Sequence, residues 1–146
     1  MSVPSAAADL LRVTRPGGRI ALAYWVPGGA AEAMFAVTAR YAPPPPGIPP
    51  LWRWGTPEGA AELLGGGADV TVTPRSFLQR FPSPEAMIAT FRESFGPSAQ
   101  TYEAAGPERE AELTQALVDV VRRYNRATDG TSAIQGDYAE VVAVRR

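Results

Sequence analysis

A tryptophan-rich segment is the first candidate for ligand contact in this sequence. Trp52 and Trp54 flank Arg53, and they lie in a stretch from Ala42 to Gly55 that contains six prolines. Two large aromatic rings beside a guanidinium, carried on a loop, suit a lid over an apolar or aromatic ligand. The alternative is a structural role, in which the tryptophans fix the proline-rich loop to the body of the protein. We predict Trp52, Arg53 and Trp54 as substrate-binding residues.

Two further aromatic residues lie where ligands commonly bind. Trp25 ends an apolar run that predicts a strand, and ligands of open α/β sheets lie outside the carboxyl ends of strands. Tyr124, near the end of a predicted helix, precedes Asn125 and Arg126, which are suited to hydrogen-bond a substrate. The alternatives are core packing for Trp25 and, around Tyr124, a helix cap with Arg126 compensating the helix dipole. We include Trp25 and Tyr124 among the predicted substrate-binding residues.

The residue types that are absent exclude many mechanisms. All 14 basic residues are Arg, and the sequence contains no Lys, Cys or His. Schiff-base chemistry, a P-loop Lys, thiolate nucleophiles, Ser-His-Asp triads and the usual zinc sites are therefore excluded. No spacing brings two carboxylates together, so the sequence names no catalytic residue and no metal site.

Gly28 and Gly29 occupy the place of a phosphate-binding loop, between a predicted strand and a predicted helix. They lack both the G-x-G-x-x-G spacing and the Lys of a P-loop. We interpret this segment as a plain connection.

The overall composition predicts one soluble domain. The chain has 146 residues, of which 45% are apolar and 20% charged, with a formal net charge of −1. Such a chain can form a packed core, and its balanced charge gives no reason to expect nucleic acid or an acidic membrane as partner. The longest apolar run, Ile20 to Val26, is too short to span a bilayer, and residues 1–8 do not resemble a targeting signal. The expected location is cytoplasmic.

Helices and strands are predicted to alternate along the chain. Predicted helices are Ser5 to Thr14, Ala30 to Tyr41, Thr56 to Leu64, Ser83 to a stop at Gly96-Pro97, and Pro107 to Arg126; predicted strands are Arg19 to Trp25, Asp69 to Phe81 and Tyr138 to Val144. The near-continuous apolar run that ends at Trp25 is typical of a strand buried on both faces. Three strands interleaved with helices predict the α/β class.

Taken in order, these segments resemble the C-terminal half of a class I S-adenosylmethionine-dependent methyltransferase. The resemblance begins with Leu10 to Trp25, where the turn Pro16-Gly17-Gly18 precedes a strand. It continues through Trp54 to Glu58, Phe81 to Glu85, Tyr124 to Gly130 and Tyr138 to Arg146, so that it covers nearly the whole chain. It implies a partial Rossmann-like sheet with equivalents of strands five, six and seven, in which strand five borders strand seven.

The resemblance also implies that the cofactor-binding half is missing. In the family, a Gly-rich loop after strand one lies against the methionine part of S-adenosylmethionine, and an acidic residue after strand two takes the ribose hydroxyls. This chain has no counterpart of strands one to four. Residues 1–146 are expected to form a single incomplete domain, the acceptor-side half, which does not hold S-adenosylmethionine tightly by itself.

The implied function is methyl transfer to an unidentified small molecule, with activity only beside a cofactor-binding N-terminal half. Without strand four, the backbone from Ile20 to Trp25 is expected to present an unpaired apolar edge. This edge predicts either self-association or pairing with a separate N-terminal half. A non-catalytic small-molecule-binding or dimerisation module is the alternative function, and a gene fragment without an independent role is the third.

Overall fold

The computed structural model describes residues 3–47 and 51–146. Within these residues the elements are α1 (Val3–Val13), β1 (Arg19–Trp25), α2 (Gly29–Thr38), a 3₁₀ helix (Leu51–Gly55), α3 (Pro57–Leu64), β2 (Ala68–Phe81), α4 (Pro84–Ser94), α5 (Gly96–Ala105), α6 (Glu110–Tyr124) and β3 (Ser132–Arg145). The combination of helices with one sheet confirms the predicted α/β class.

The three strands form a small antiparallel sheet in the order β1-β3-β2. β1 pairs with β3 in a register that sets Arg19 opposite Val144 and Trp25 opposite Tyr138. In the sheet that the described residues form, β1 is therefore an edge strand with a partner on one side.

The chain divides into two compact units. Unit 1 consists of the described residues of 1–27, 47–76 and 137–146, and unit 2 consists of residues 28–46 and 77–136. β2 and β3 each contribute residues to both units.

In unit 1, the helices pack against one face of the sheet. The buried apolar residues on this face are Ala7, Ile20, Trp54, Ala60, Leu64, Ala68, Ala139, Val141 and Ala143. They come from α1, the 3₁₀ helix and α3 on one side and from all three strands on the other. Alternate strand residues point to opposite faces, and accordingly Ala21 and Ala23, between the covered residues of β1, are exposed.

In unit 2, four helices and the beginning of β3 enclose an apolar cluster. Its buried members are Ala30, Tyr41, Met87, Ile88, Tyr102, Leu113, Leu117, Val118, Val121 and Ile134. α6 supplies the largest share, because its apolar residues recur at helical spacing and form one continuous stripe.

Several local predictions are confirmed. β1 begins and ends at the predicted residues. The hydroxyl of Thr56 accepts a hydrogen bond from the Gly59 N–H (3.1 Å), and that of Ser83 accepts one from the Ala86 N–H (3.0 Å). Both residues therefore cap the predicted helices that they begin, as is typical of Thr or Ser followed by Pro and Glu.

Other boundaries differ from the predictions. Gly96-Pro97 ends α4 but also opens α5, since proline is well tolerated in the first turn of a helix. α2 ends at Thr38 instead of Tyr41, and β3 starts at Ser132 instead of Tyr138. Part of the proline-rich loop forms the 3₁₀ helix, while its residues 48–50 lie outside the described residues.

None of the helices in the described ranges has both the length and the apolar character that a membrane crossing requires.

Candidate functional site

A close backbone approach holds the tryptophan segment against the carboxyl end of β1. A Cβ atom at position 55 would collide with the carbonyl oxygen of Trp25 and would lie 3.3 Å from that of Tyr24. Glycine permits this approach because it has no side chain. The 3₁₀ helix therefore lies directly beside the end of β1.

Trp54 anchors this segment. Its side chain is 7% exposed, and its ring centroid lies 6.4 Å from that of Tyr24. Such burial stabilises the segment and leaves little of the indole accessible to a ligand. This position agrees with the structural alternative, a loop fixed by its tryptophan, and the role of Trp54 in substrate binding stays a prediction.

Trp52 and Arg53 are the more accessible part of the segment, since both are half-buried. The Arg53 guanidinium pairs with Glu62 of α3 at 2.5 Å, and the Glu62 side chain is 65% exposed. An ion pair this open to solvent contributes little to stability. An anionic group of a ligand can therefore reach the Arg53 guanidinium and compete with Glu62 for it.

Trp25 lies on the other face of β1. Tyr24 contacts Trp54 on the covered face, and neighbouring strand residues point in opposite directions. Trp25 is paired across the strands with Tyr138. The structure thus brings the Trp25 backbone against the tryptophan segment at Gly55.

Tyr124 belongs to unit 2, where it is partly buried against the apolar cluster. The neighbouring Asn125 amide is fully engaged with the backbone: its Oδ1 accepts from the N–H groups of Ala127 (3.1 Å) and Ala133 (2.7 Å), and its Nδ2 donates to the Thr131 carbonyl (2.8 Å). These bonds connect the end of α6 to the start of β3. This arrangement agrees with the capping alternative at Asn125, and substrate binding by Tyr124 stays a prediction.

Unit 2 contains a cleft that the sequence did not predict. It has a volume of about 350 Å³ and lies between α4, α5 and the start of α6. The residues that line it are Arg92, Ala99, Tyr102, Glu103, Gly106, Pro107 and Glu110. No sequence pattern indicates this cleft, because α5, which supplies one wall, is not predicted as a helix.

Arg92 makes an ion pair and an aromatic contact at the cleft. Its guanidinium donates two hydrogen bonds to the Glu110 carboxylate, at 2.5 and 2.9 Å, and its central carbon lies 4.7 Å from the ring centroid of Tyr102. The Tyr102 hydroxyl is hydrogen-bonded to Thr114 (2.9 Å). A paired and stacked guanidinium has a fixed direction, so the cleft offers oriented polar recognition. Its lining includes two carboxylates, Glu110, which is paired with Arg92, and Glu103.

Tyr41 is a second polar feature of unit 2. It is 8% exposed, with the Arg109 guanidinium 4.3 Å from its ring centroid. Burial and the neighbouring Glu112 carboxylate raise the pKa of Tyr41, while Arg109 lowers the pKa of Glu112. The Tyr41 hydroxyl lacks a well-formed hydrogen bond among the described residues. A phenol with a raised pKa stays protonated near neutral pH, so Tyr41 is unsuited to act as a base.

Nowhere in residues 3–47 and 51–146 do three acidic side chains come together as ligands for an ion.

No protein-family model matches this chain. Among curated proteins it is similar to uncharacterized mycobacterial proteins. Uncharacterized protein Rv1405c of Mycobacterium tuberculosis is 31% identical over 147 residues, which cover 97% of this chain and 52% of that protein. Uncharacterized protein Mb1440c of Mycobacterium bovis matches to the same extent.

A second protein of Mycobacterium tuberculosis, uncharacterized protein Rv1403c, is 29% identical over 121 residues, which cover 80% of this chain and 44% of that protein. The chain thus spans about half the length of the curated relatives it matches.

Proposed function

We propose that this chain is the acceptor-side portion of an S-adenosylmethionine-dependent methyltransferase with a partial Rossmann-like sheet. The observation that carries the proposal is the strand order. β1 lies beside β3 and at the edge of the sheet. The methyltransferase resemblance implies the same neighbours, because strand five of the family borders strand seven, and strand four fills the side on which β1 has no partner here.

The cleft of unit 2 supports an acceptor-binding role. The family often places helices that cover the substrate between strands six and seven. α4, α5 and α6 lie between β2 and β3 in the chain, and they line the cleft. We propose that this cleft, with Arg92 as its oriented polar group, receives a small-molecule acceptor.

The residues of this chain do not fit S-adenosylmethionine. The glycine connection after β1 is engaged locally, since the Gly28 N–H donates to the Glu32 carboxylate at 2.6 Å. That carboxylate occupies the position at the start of α2 where a bound anion would be held. We propose that the cofactor is held by another portion of a longer or separate polypeptide, and that this chain contributes by orienting the acceptor.

The proposed partner surface is the edge of β1 that faces away from β3, along Ile20 to Tyr24. An unpaired strand edge offers N–H and C=O groups to another strand. The additional strand comes either from a cofactor-binding portion or from a second copy of the chain. Light scattering coupled to size-exclusion chromatography distinguishes the two, because only the second gives a dimer of the chain alone.

Calorimetry with S-adenosylmethionine tests the proposal. We expect no binding by this chain alone, and binding by a chimera in which this chain replaces the matching region of the Mycobacterium tuberculosis relative Rv1405c. The intact relative is the matched control. Tight binding of S-adenosylmethionine by the chain alone would contradict the proposal. So would the finding that the intact relative is folded but does not bind S-adenosylmethionine.

The cleft also favours a second candidate function, a non-catalytic small-molecule-binding module. It is formed entirely by unit 2 and needs no further polypeptide. Anilinonaphthalene sulfonate, an apolar anion, is a suitable fluorescent probe. Two results together would favour this module over the methyltransferase. Arg92→Gln would weaken binding of the probe to this chain, and the chimera would not bind S-adenosylmethionine.

A further inference from the structure

The charges around the cleft of unit 2 do not balance. Its lining contains one cationic side chain, Arg92, and two carboxylates, Glu103 and Glu110. Glu110 accepts two hydrogen bonds from the Arg92 guanidinium, at 2.5 and 2.9 Å, so that the charges of these two residues cancel. The lining is therefore left with one negative charge in excess, that of Glu103.

Glu103 is open to a ligand. Among the residues that the structure describes, its side chain has neither an ion pair nor a hydrogen bond, and the residue is exposed. Ala99, Tyr102, Glu103 and Gly106 recur at helical spacing, so one face of α5 forms this wall of the cleft. A ligand cation can bind the Glu103 carboxylate without first displacing a group of the protein.

The end of α5 adds to the same negative potential. α5 ends at Ala105, Gly106 caps it, and Pro107 follows. Pro107 has no N–H group, so it cannot donate to the Glu103 carbonyl as the next residue of a continuing helix would. The last carbonyl groups of a helix carry partial negative charge, which favours a cation beside them. Because Gly106 and Pro107 both line the cleft, the helix end and the Glu103 carboxylate act at the same place.

The rest of the lining suits an organic ligand better than a metal ion. Ala99, Tyr102 and Pro107 supply apolar surface, and the volume of about 350 Å³ gives room for a small molecule. A metal ion requires several oxygen ligands around it. In the parts of the chain that the structure describes, three acidic side chains nowhere come together for that purpose. An organic cation needs only one carboxylate for its charge, and its apolar atoms pack against the apolar residues.

We infer that the cleft selects small organic amines, with the protonated amino group paired to Glu103 and the apolar part of the ligand against Ala99 and Pro107. An anionic ligand would compete with Glu110 for Arg92 and would be repelled by Glu103. The inference rests on the proposed function and deepens it, because it names the chemical class of the acceptor molecule. The ammonium is the group by which the cleft recognises that molecule.

An NMR titration of the chain with three probes of similar shape tests this inference. Phenethylamine is cationic, phenethyl alcohol is neutral and hydrocinnamate is anionic. We expect phenethylamine to bind most tightly and hydrocinnamate least, with the largest changes at the amides of Ala99, Tyr102, Glu103 and Gly106. Equal or tighter binding of hydrocinnamate would overturn the inference. Amide changes confined to residues outside the cleft, or no binding of phenethylamine, would overturn it as well.

Glu103→Gln removes the unpaired charge and keeps the size of the side chain. It should weaken the binding of phenethylamine about two- to fivefold, as expected for an ion pair open to solvent, and strengthen that of hydrocinnamate. Opposite changes identify recognition of charge, because a variant with a damaged fold would lose both probes.

Glu93→Gln is the matched control. Glu93 is an exposed glutamate of α4 that does not line the cleft, so the substitution makes the same change in net charge at another place. It should leave the affinities for both probes unchanged. If the two variants weaken the binding of phenethylamine equally, the preference comes from the overall charge of the chain, and the inference is wrong.

Calorimetry with S-adenosylmethionine separates this inference from the proposed function. Binding of phenethylamine at the cleft, without cofactor binding by the chimera, would retain the amine site and reject the methyltransferase. Cofactor binding by the chimera, without a preference of the cleft for phenethylamine over hydrocinnamate, would do the reverse.

Discussion

Unit 2 encloses its apolar residues between helices, whereas unit 1 carries helices on one face of its sheet. In unit 2, Leu113 is buried among residues of α2, α4, α5 and α6. In unit 1, Ile20 and Leu64 are buried as well, but the neighbour of Ile20 in the strand, Ala21, is exposed. Both units have enough apolar residues for a core. The comparison teaches that the number of packed layers, rather than apolar content, decides whether both faces of an element are buried.

The largest expected effects come from Leu64→Ala and Leu113→Ala, one in each unit. Both leucines are 0% exposed. Each substitution should lower the free energy of unfolding by about 2–5 kcal/mol, because it removes buried methyl groups and leaves a cavity. Urea unfolding followed by circular dichroism measures the loss. A loss at Leu64 of less than about 1 kcal/mol would show that even the covered face of unit 1 is loosely packed.

Gly55→Ala should have the next largest effect, confined to unit 1. The added Cβ would collide with the Trp25 carbonyl, and we expect a loss of about 1–3 kcal/mol as the backbone shifts to accept it. Gly66→Ala is the control, since nothing lies within 4 Å of a Cβ at that position. Similar unfolding free energies for the two variants would mean that the 3₁₀ helix is not fixed to the end of β1.

The helix caps permit the same comparison on a smaller scale. Thr56→Ala in unit 1 and Ser83→Ala in unit 2 each remove a hydroxyl that accepts a backbone hydrogen bond. Each should cost about 1 kcal/mol. Thr56→Ser and Ser83→Thr, which retain the hydroxyl, should cost less. Amide exchange in α3 and α4 measures the local loss, and an alanine variant that costs no more than its hydroxyl-retaining partner would show that the cap is dispensable.

The smallest effect that we predict is the response of unit 2 to acid. The pKa of Glu85 is lowered by its own backbone N–H, by the Ser83 hydroxyl and by Arg122; that of Glu112 is lowered chiefly by Arg109, and that of Asp129 by Thr131. A lowered folded-state pKa contributes stability that is present above the ordinary value, 4.5 for Glu, and is lost as the pH falls through the lowered value. The midpoint temperature of unfolding should therefore decrease as the pH is lowered below 4.5.

Glu85→Gln tests the assignment of that response. The variant no longer has a carboxylate to protonate at this position, so its thermal midpoint should depend less on pH below 4.5 than that of the wild type. Parallel curves for the two proteins would assign the acid response to other groups.

The sequence predicted the elements whose signals are local. β1 is bounded by a glycine turn and a proline, and Thr56 and Ser83 are followed by Pro and Glu, so their positions follow from short-range chemistry alone. α5 was missed because Gly96-Pro97 stops one helix and starts the next, and no clear apolar stripe follows it. β3 was predicted too short because polar residues and Gly136 obscure its first part.

The candidate site was harder to predict because it depends on contacts between distant residues. The sequence predicts Trp52, Arg53 and Trp54 as substrate-binding residues, but the burial of Trp54 follows from its contact with Tyr24 and from the approach of Gly55 to Trp25. The cleft beside Arg92 needs α5, and its Arg92–Glu110 pair joins residues of two helices. Sequence patterns carry no information on such pairs until the elements have been placed.

The close approach at Gly55 has a practical consequence for protein engineering. A library that randomises the whole segment from Trp52 to Gly55 would contain many destabilised members, because a side chain at position 55 forces the backbone to shift and position 54 is enclosed. Diversity restricted to positions 52 and 53 leaves the attachment to β1 intact. Selection experiments for altered ligand preference should therefore begin with those two codons.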